Sequence, residues 1–219
     1  YIAMHPDGGP IEYFRYLPES SCIEAGQAAV GWLFKRSVTI SGFTISRLKA
    51  LQFSTSNLDG TLLYQVYLMS QVCLLHKSIY CDIPIAQAVQ SYRADSPMFG
   101  IAQAEHGRYT PGSITHDNSI NFTKAFFQVS EYLDNQNNTN VTDFVRIDLS
   151  KYSYPFLSIQ RKRGIASFLR YSRRLEVELG LDATIYFHIY KWGLVILGER
   201  TCDWLIRLIK RRVGHTPNF

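Results

Sequence analysis

Ala29-Val-Gly-Trp-Leu-Phe-Lys-Arg36 is an apolar run closed by two cations, and its conformation decides what the first half of the chain can be. A short apolar run bounded by charge suits a fully buried strand, so Ala28 to Ile40 is expected to be one. Ser41-Gly42 then turns the chain, Thr44 to Leu51 has helical spacing, and Ser54 to Gly60 is polar and turn-rich. From Thr61 to His76 the apolar positions Leu62, Leu63, Val66, Tyr67, Met69, Val72, Cys73 and Leu75 follow a helical pattern, which predicts an amphipathic-to-buried helix.

Outward from this core the pattern changes twice. Residues 1–26 read as loop with helical scraps, because His5-Pro-Asp-Gly-Gly-Pro10 is a run of turn formers. Lys77 to Tyr92 alternates loosely and predicts one or two strands, with Pro84 at an edge. Asp95 to Asp117 reads as a long polar loop. Beyond it the helical period returns, predicting helices over 118–135, 140–150, 155–163, 165–179, 184–197 and 200–212. The expected class is α/β, or α+β for a fragment: a partial mixed sheet with packed helices, then a mostly helical C-terminal region.

The bulk composition agrees with a folded chain. Of 219 residues, 46% are apolar and 19% charged, enough to bury a core and not the balance of a disordered chain. Cys22, Cys73, Cys81 and Cys202 show neither a CxxC pair nor zinc-ligand spacing to His, so reduced, mostly buried thiols are expected. The apolar stretch Ala183 to Leu197 is shorter than the roughly 20 residues a membrane-spanning helix needs. The net charge of +5 is uneven. Residues 1–160 carry 11 Lys and Arg against 13 Asp and Glu, whereas residues 161–219 carry 12 against 5. A basic tail favours anionic partners.

Three pieces carry a family resemblance: Gly31-Trp-Leu-Phe-Lys-Arg-Ser37, Asn57-Leu-Asp-Gly-Thr61 and Leu63-Tyr-Gln-Val-Tyr-Leu68. In order and spacing they resemble the second half of bacterial family 2 glycosyltransferases of GT-A fold, and most of all the abequosyltransferase-like group of O-antigen and capsule synthesis. The loop Glu105-His-Gly-Arg-Tyr-Thr-Pro-Gly112 and the ending His215-Thr-Pro-Asn are also similar to that group.

The resemblance implies a partial GT-A-type sheet and a division into residues 1–117, the acceptor-side half of a catalytic domain, and 118–219, a helical region with a basic tail. It implies that the nucleotide-binding half lies outside this chain, which has no Asp-x-Asp and no glycine-rich phosphate loop. The expected reaction moves a sugar, with inversion, from a nucleotide-sugar donor to a lipid-linked saccharide acceptor. Such a transfer needs a general base at the acceptor hydroxyl, and Asp59 occupies the family's acidic position at a helix start. The family's Glu-Asp pair is here Leu58-Asp59, and the next acidic position is Thr61, departures that leave a helix-capping Asp with no chemistry as the other reading of Asp59. A divalent metal, Mg or Mn, is expected for the full-length enzyme, with no ligands identifiable in this chain.

Other residues have two readings each. Trp32 can stack on an acceptor sugar or belong to the core. Arg93 can pair with a phosphate through its planar fork or be an ordinary surface arginine. His106 and Arg108, assigned to acceptor binding, and His116 in the same loop can reach a pyrophosphate or be solvated loop residues.

In the tail, Trp204, Leu205, Leu208 and Ile209 share a helical face, with Arg207, Lys210, Arg211 and Arg212 beside it. That pattern suits a helix lying in an anionic headgroup layer, at the inner face of the cell membrane, or a helix docked on its own protein with a solvated basic face. Nucleic acid is not an expected partner, since the cations stand among Leu and Ile without a recognisable nucleic-acid-binding motif.

Overall fold

In a computed structural model of the chain, residues 2–4, 10–13, 16–38, 42–83, 87–89 and 115–213 are described. They form nine α-helices and five strands of three or four residues. The fold is therefore α-rich. Two compact units, Tyr1–Val145 and Arg146–Phe219, divide the chain inside a helix.

The first unit corrects the expectation at Ala28–Ile40. The segment is a helix, α1 (Gln27–Phe34), continued by a 3-10 turn over Lys35–Ser37. Ala28 and Ala29 are strong helix formers, and the buried Val30, Gly31 and Phe34 share one face of a helix, with Ala29 also buried. The chain enters through Gly26, whose φ of 129° a side chain would resist. The Gly26 N–H donates to the Cys73 carbonyl (3.1 Å) and its carbonyl accepts from the Val30 N–H (3.1 Å), so one residue starts α1 and ties it to a second helix. Gly31 lets α1 approach its neighbour closely: a Cβ there would lie 2.4 Å from Phe144 Cβ.

Helix α2 (Arg47–Leu51) and helix α3 (Tyr64–Leu75) follow near their expected places. The strands are scattered and short. β1 (Ile2–Met4) pairs antiparallel with β2 (Pro10–Tyr13) and parallel with β5 (Gln87–Val89). β3 (Ser21–Ile23) pairs antiparallel with β4 (Ser78–Tyr80). Two strands thus lie in the expected 77–92 region, and three lie where loop was expected. A GT-A-type sheet is not what they build.

Helix α3 packs on α1, on α2 and on α4 (His116–Asn137). The core between them holds Phe34, Leu63, Val66, Ile120, Phe126 and Leu133. Thr115 caps α4 by accepting from the Asn118 N–H (3.0 Å). The helix ends at Asn138, in the left-handed region at φ 53°, and α5 (Val141–Lys151) begins three residues later.

Asp134 clasps that corner. Its Oδ1 accepts from Thr139 Oγ1 (2.7 Å) and the Val141 N–H (2.6 Å), and its Oδ2 accepts from the Thr142 N–H (2.9 Å). A carboxylate is thereby set at the N-terminus of α5, where the helix dipole favours it.

The second unit is helical. Helix α6 (Tyr154–Arg161) packs on α7 (Ile165–Leu179), α8 (Ile185–Ile196) and α9 (Gly198–Val213), and α8 packs on α9. These match the expected spans to within a few residues. Leu157, Phe168, Tyr171, Leu175, Phe187 and Leu194 form the core. Inside it, Asp203 of α9 accepts from the Tyr154 hydroxyl and from Ser158 Oγ (3.2 Å), which joins α6 to α9. Burial, reinforced by this carboxylate, drives the Tyr154 hydroxyl pKa far above its ordinary value. Glu176 on α7 and Lys191 on α8 form a mostly buried ion pair at 2.5 Å. Among the described residues no helix is long and apolar enough to cross a membrane.

Candidate functional site

The turn between α2 and α3 carries the acidic residue the sequence singles out. Phe53 and Ser54 close the end of α2 through their N–H groups, to Ala50 (3.1 Å) and Leu51 (3.3 Å). The chain then folds on itself: the Asp59 N–H donates to the Ser56 carbonyl (3.1 Å) and the Thr61 N–H to the Leu58 carbonyl (3.1 Å). Thr61 Oγ1 donates to that same Leu58 oxygen at 2.7 Å. Leu58 is buried and anchors the turn, Asp59 beside it is exposed, and Gly60 reverses the backbone at φ 73°. The order apolar anchor, carboxylate, glycine therefore has a mechanical meaning. One side chain fixes the turn and the next is presented outward.

Three tyrosines brace this turn. Tyr64, in the first turn of α3, accepts from the Thr55 N–H through its hydroxyl (3.2 Å). Tyr132, on α4, accepts from Asn57 Nδ2 (2.9 Å) and lies 3.5 Å from Thr55 Oγ1. Tyr67 stands between them, its ring centroid 6.0 Å from that of Tyr64 and 5.6 Å from that of Tyr132. Burial raises the pKa of the Tyr67 hydroxyl, and Gln71 donates to its oxygen. Among the described residues the Asp59 carboxylate makes no hydrogen bond or ion pair, so it stands on a braced turn and is not spent on holding it.

The placement differs from the expectation in one respect. Asp59 does not open α3; the residue before that helix is Leu63, four positions on. Asn57 stands in the quoted motif, but Tyr132 is not visible as part of the site in the sequence, since it lies 75 residues away. The only sequence signal is Tyr64 and Tyr67, three apart on one helix face.

Trp32 lies on α1, half-buried, not on a strand. Tyr16 and Tyr80 meet it edge-on, with centroids at 6.4 and 6.2 Å. The Tyr16 N–H donates to the Tyr80 hydroxyl (3.0 Å). The Arg36 guanidinium sits 4.4 Å from the Trp32 centroid and 5.2 Å from that of Tyr16, and donates to the Trp32 carbonyl. The "Phe-Lys-Arg" step thus supplies a cation to an aromatic cluster. No described hydrogen bond or ring contact joins this cluster to Asp59. Arg93, His106 and Arg108 lie outside the described residues, as do Glu105–Gly112 and the ending at His215.

In the tail, α9 is docked and open at once. Cys202 is buried and Asp203 turns inward to Tyr154, while Lys162 pairs with Glu199 at 3.2 Å. Trp204 is 61% exposed, Ile209 is exposed, and Leu205 and Leu208 are half-buried. Arg207 and Arg212 are exposed. Lys210 and Arg211 belong to the same helix, and their side chains lie outside the described set. All four cysteines are free thiols; Cys73 and Cys202 are buried, but Cys22 and Cys81 are exposed, so burial holds for half of them.

No group of three or more His, Cys, Asp or Glu among the described residues is arranged to hold a metal ion. Neither a family model, nor a curated protein, nor a solved structure matches this chain.

Proposed function

We propose that this chain is the acceptor-side portion of an inverting family 2 glycosyltransferase, acting on a lipid-linked saccharide, with Asp59 as general base. The observation that carries the reading is the braced turn: a carboxylate with no hydrogen bond or ion pair among the described residues, on a turn held by Leu58, Tyr64 and Tyr132. The order of the three sequence motifs supports it. The short strands lend it no support, because they do not form a GT-A-type sheet.

In the proposed step Asp59 takes the proton of the acceptor hydroxyl. The oxygen then attacks the anomeric carbon, and the bond to the nucleoside diphosphate breaks with its electron pair leaving on the phosphate. Bracing matters here because a base must meet the acceptor proton within hydrogen-bond distance. A divalent metal in the full-length enzyme would neutralise the charge on the departing diphosphate.

The test is transfer of labelled sugar from nucleotide-sugar donors to lipid-linked acceptors by the full-length protein. Asp59→Asn should lower kcat by about 10²–10⁴, the usual contribution of a general base, and leave donor binding intact. A loss of less than about tenfold would remove Asp59 from the chemistry.

A second reading, a non-catalytic helical adaptor at the membrane surface, is favoured by the outward Trp204 and Ile209 of α9. It requires that the full-length protein bind no sugar nucleotide at all.

A further inference from the structure

Helix α8 buries one face and leaves its opposite face apolar. Phe187, Tyr190 and Leu194 point into the second unit. Ile185, Ile189, Trp192 and Ile196, at spacings of four, three and four, are 67%, 57%, 52% and 76% exposed. On a helix of 3.6 residues per turn these four form one continuous ridge, about 17 Å long. The single charged side chain in α8 is Lys191, and it is committed to the inward pair with Glu176. Its ammonium also lies 5.4 Å from the Trp192 ring centroid, and none of the four ridge side chains is itself charged. A helix apolar on both faces belongs in a larger core or at a membrane, not against water.

Charge decides between the coverings. The second unit, residues 146–219, holds 14 Lys and Arg against 6 Asp and Glu. On α9, which packs against α8, Arg200, Arg207 and Arg212 are exposed. A second copy seated on the ridge would bring a like-charged unit against this one. An anionic bilayer would not, and it would accept the ridge between its headgroups while meeting the cations with phosphate. Trp192 on the ridge and Trp204 on α9 are of the residue type that favours the interfacial layer.

We propose that α8 is the membrane-inserting element, lying in the plane of an anionic leaflet with Ile185, Ile189, Trp192 and Ile196 in the acyl boundary and α9 supplying the cations. The inference does not rest on the transferase reading, and its readout needs no donor or acceptor.

The experiment is flotation of the full chain with phosphatidylglycerol–phosphatidylethanolamine vesicles at low and high salt. The wild type should float at low salt and lose binding as salt rises. Ile189→Glu with Ile196→Glu should weaken binding about tenfold or more, whereas Arg207→Glu should weaken it a few-fold and flatten the salt dependence. Both isoleucines are exposed, and a circular dichroism spectrum equal to that of the wild type shows the double variant folded. As an independent measure, bromolipid quenching of tryptophan emission should drop in Trp192→Phe.

Three results overturn the proposal. One is a wild type that ignores anionic vesicles at low salt, and another is a double variant that floats within about twofold of it. The third is a concentration-dependent dimer that the double variant converts to monomer, which would seat a second copy on the ridge.

Discussion

Asp134→Ala removes the clasp between α4 and α5, and the structure sets the size of the effect. The carboxylate accepts three hydrogen bonds, two of them from the first N–H groups of α5, at 2.6 and 2.9 Å. Those two donors have no partner inside their own helix. Loss of a capping side chain costs about 0.5–2 kcal/mol, and loss of a negative charge at a helix N-terminus about 0.3–1 kcal/mol more. The site is half-buried, so water recovers part of this. We expect about 2 kcal/mol, which for a chain of this size is a fall in Tm of roughly 4–8 °C.

Thermal unfolding followed by circular dichroism measures it, with amide exchange at Val141 and Thr142 as the local readout. Asp134→Asn keeps one acceptor oxygen but turns an amide toward a donor and loses the charge, so it should fall between wild type and Asp134→Ala. Thr139→Val gives up a single bond of 2.7 Å and should cost about 1 kcal/mol. If Asp134→Ala shifts stability by less than about 0.5 kcal/mol, the carboxylate does not hold the corner and the capping argument is wrong.

Gly31→Ala forces a Cβ to within 2.4 Å of Phe144 Cβ, and overpacking of that kind costs about 1–3 kcal/mol. Adding Phe144→Ala should not rescue it, because the clashing Cβ remains; urea denaturation checks both variants. Burial raises the pKa of the Cys73 and Cys202 thiols and of the Tyr67, Tyr154 and Tyr190 hydroxyls above their ordinary values of 9.0 and 10.0. A raised folded pKa keeps the proton on the native state, so stability should be level below about pH 9 and fall as the unfolded chain ionises above it. Stability that instead rises between pH 9 and 11 would contradict the sign.

The helices of the second half were legible because their apolar positions repeat with the period of the structure they form. Ile165–Leu179 is the clearest case: Phe168, Tyr171, Ser172, Leu175 and Leu179 bury at spacings of three, one, three and four. The segment 27–34 was not legible as a helix, because a short apolar run fits a buried strand and a buried helix equally. What decided it is tertiary: Gly26, outside the run, is held by the Cys73 carbonyl, and Gly31, within it, packs closely on Phe144. The strands of the first unit escaped for a related reason. Ser21–Ile23 has no strand signature of its own and is defined by a partner at Ser78–Tyr80. The sequence singled out Asp59 but not the tyrosines around its turn, and Tyr132 reaches that turn from 75 residues away.

The pairing of β1 has a consequence for the order in which the chain can fold. Its two neighbours lie at very different distances along the sequence, β2 nearly adjacent and β5 more than eighty residues on. The β3–β4 pair also reaches across more than fifty residues. Both long pairings draw on the short stretch from 78 to 89, so a ribosome delivers the amino-terminal strands well before the segment that completes them. The helices from 154 onward pack largely on sequence neighbours. Local contacts form fast and distant ones pay for loop closure first. Refolding should therefore show the second unit's helical signal early, and a slower phase in which residues 78–89 draw the amino terminus in.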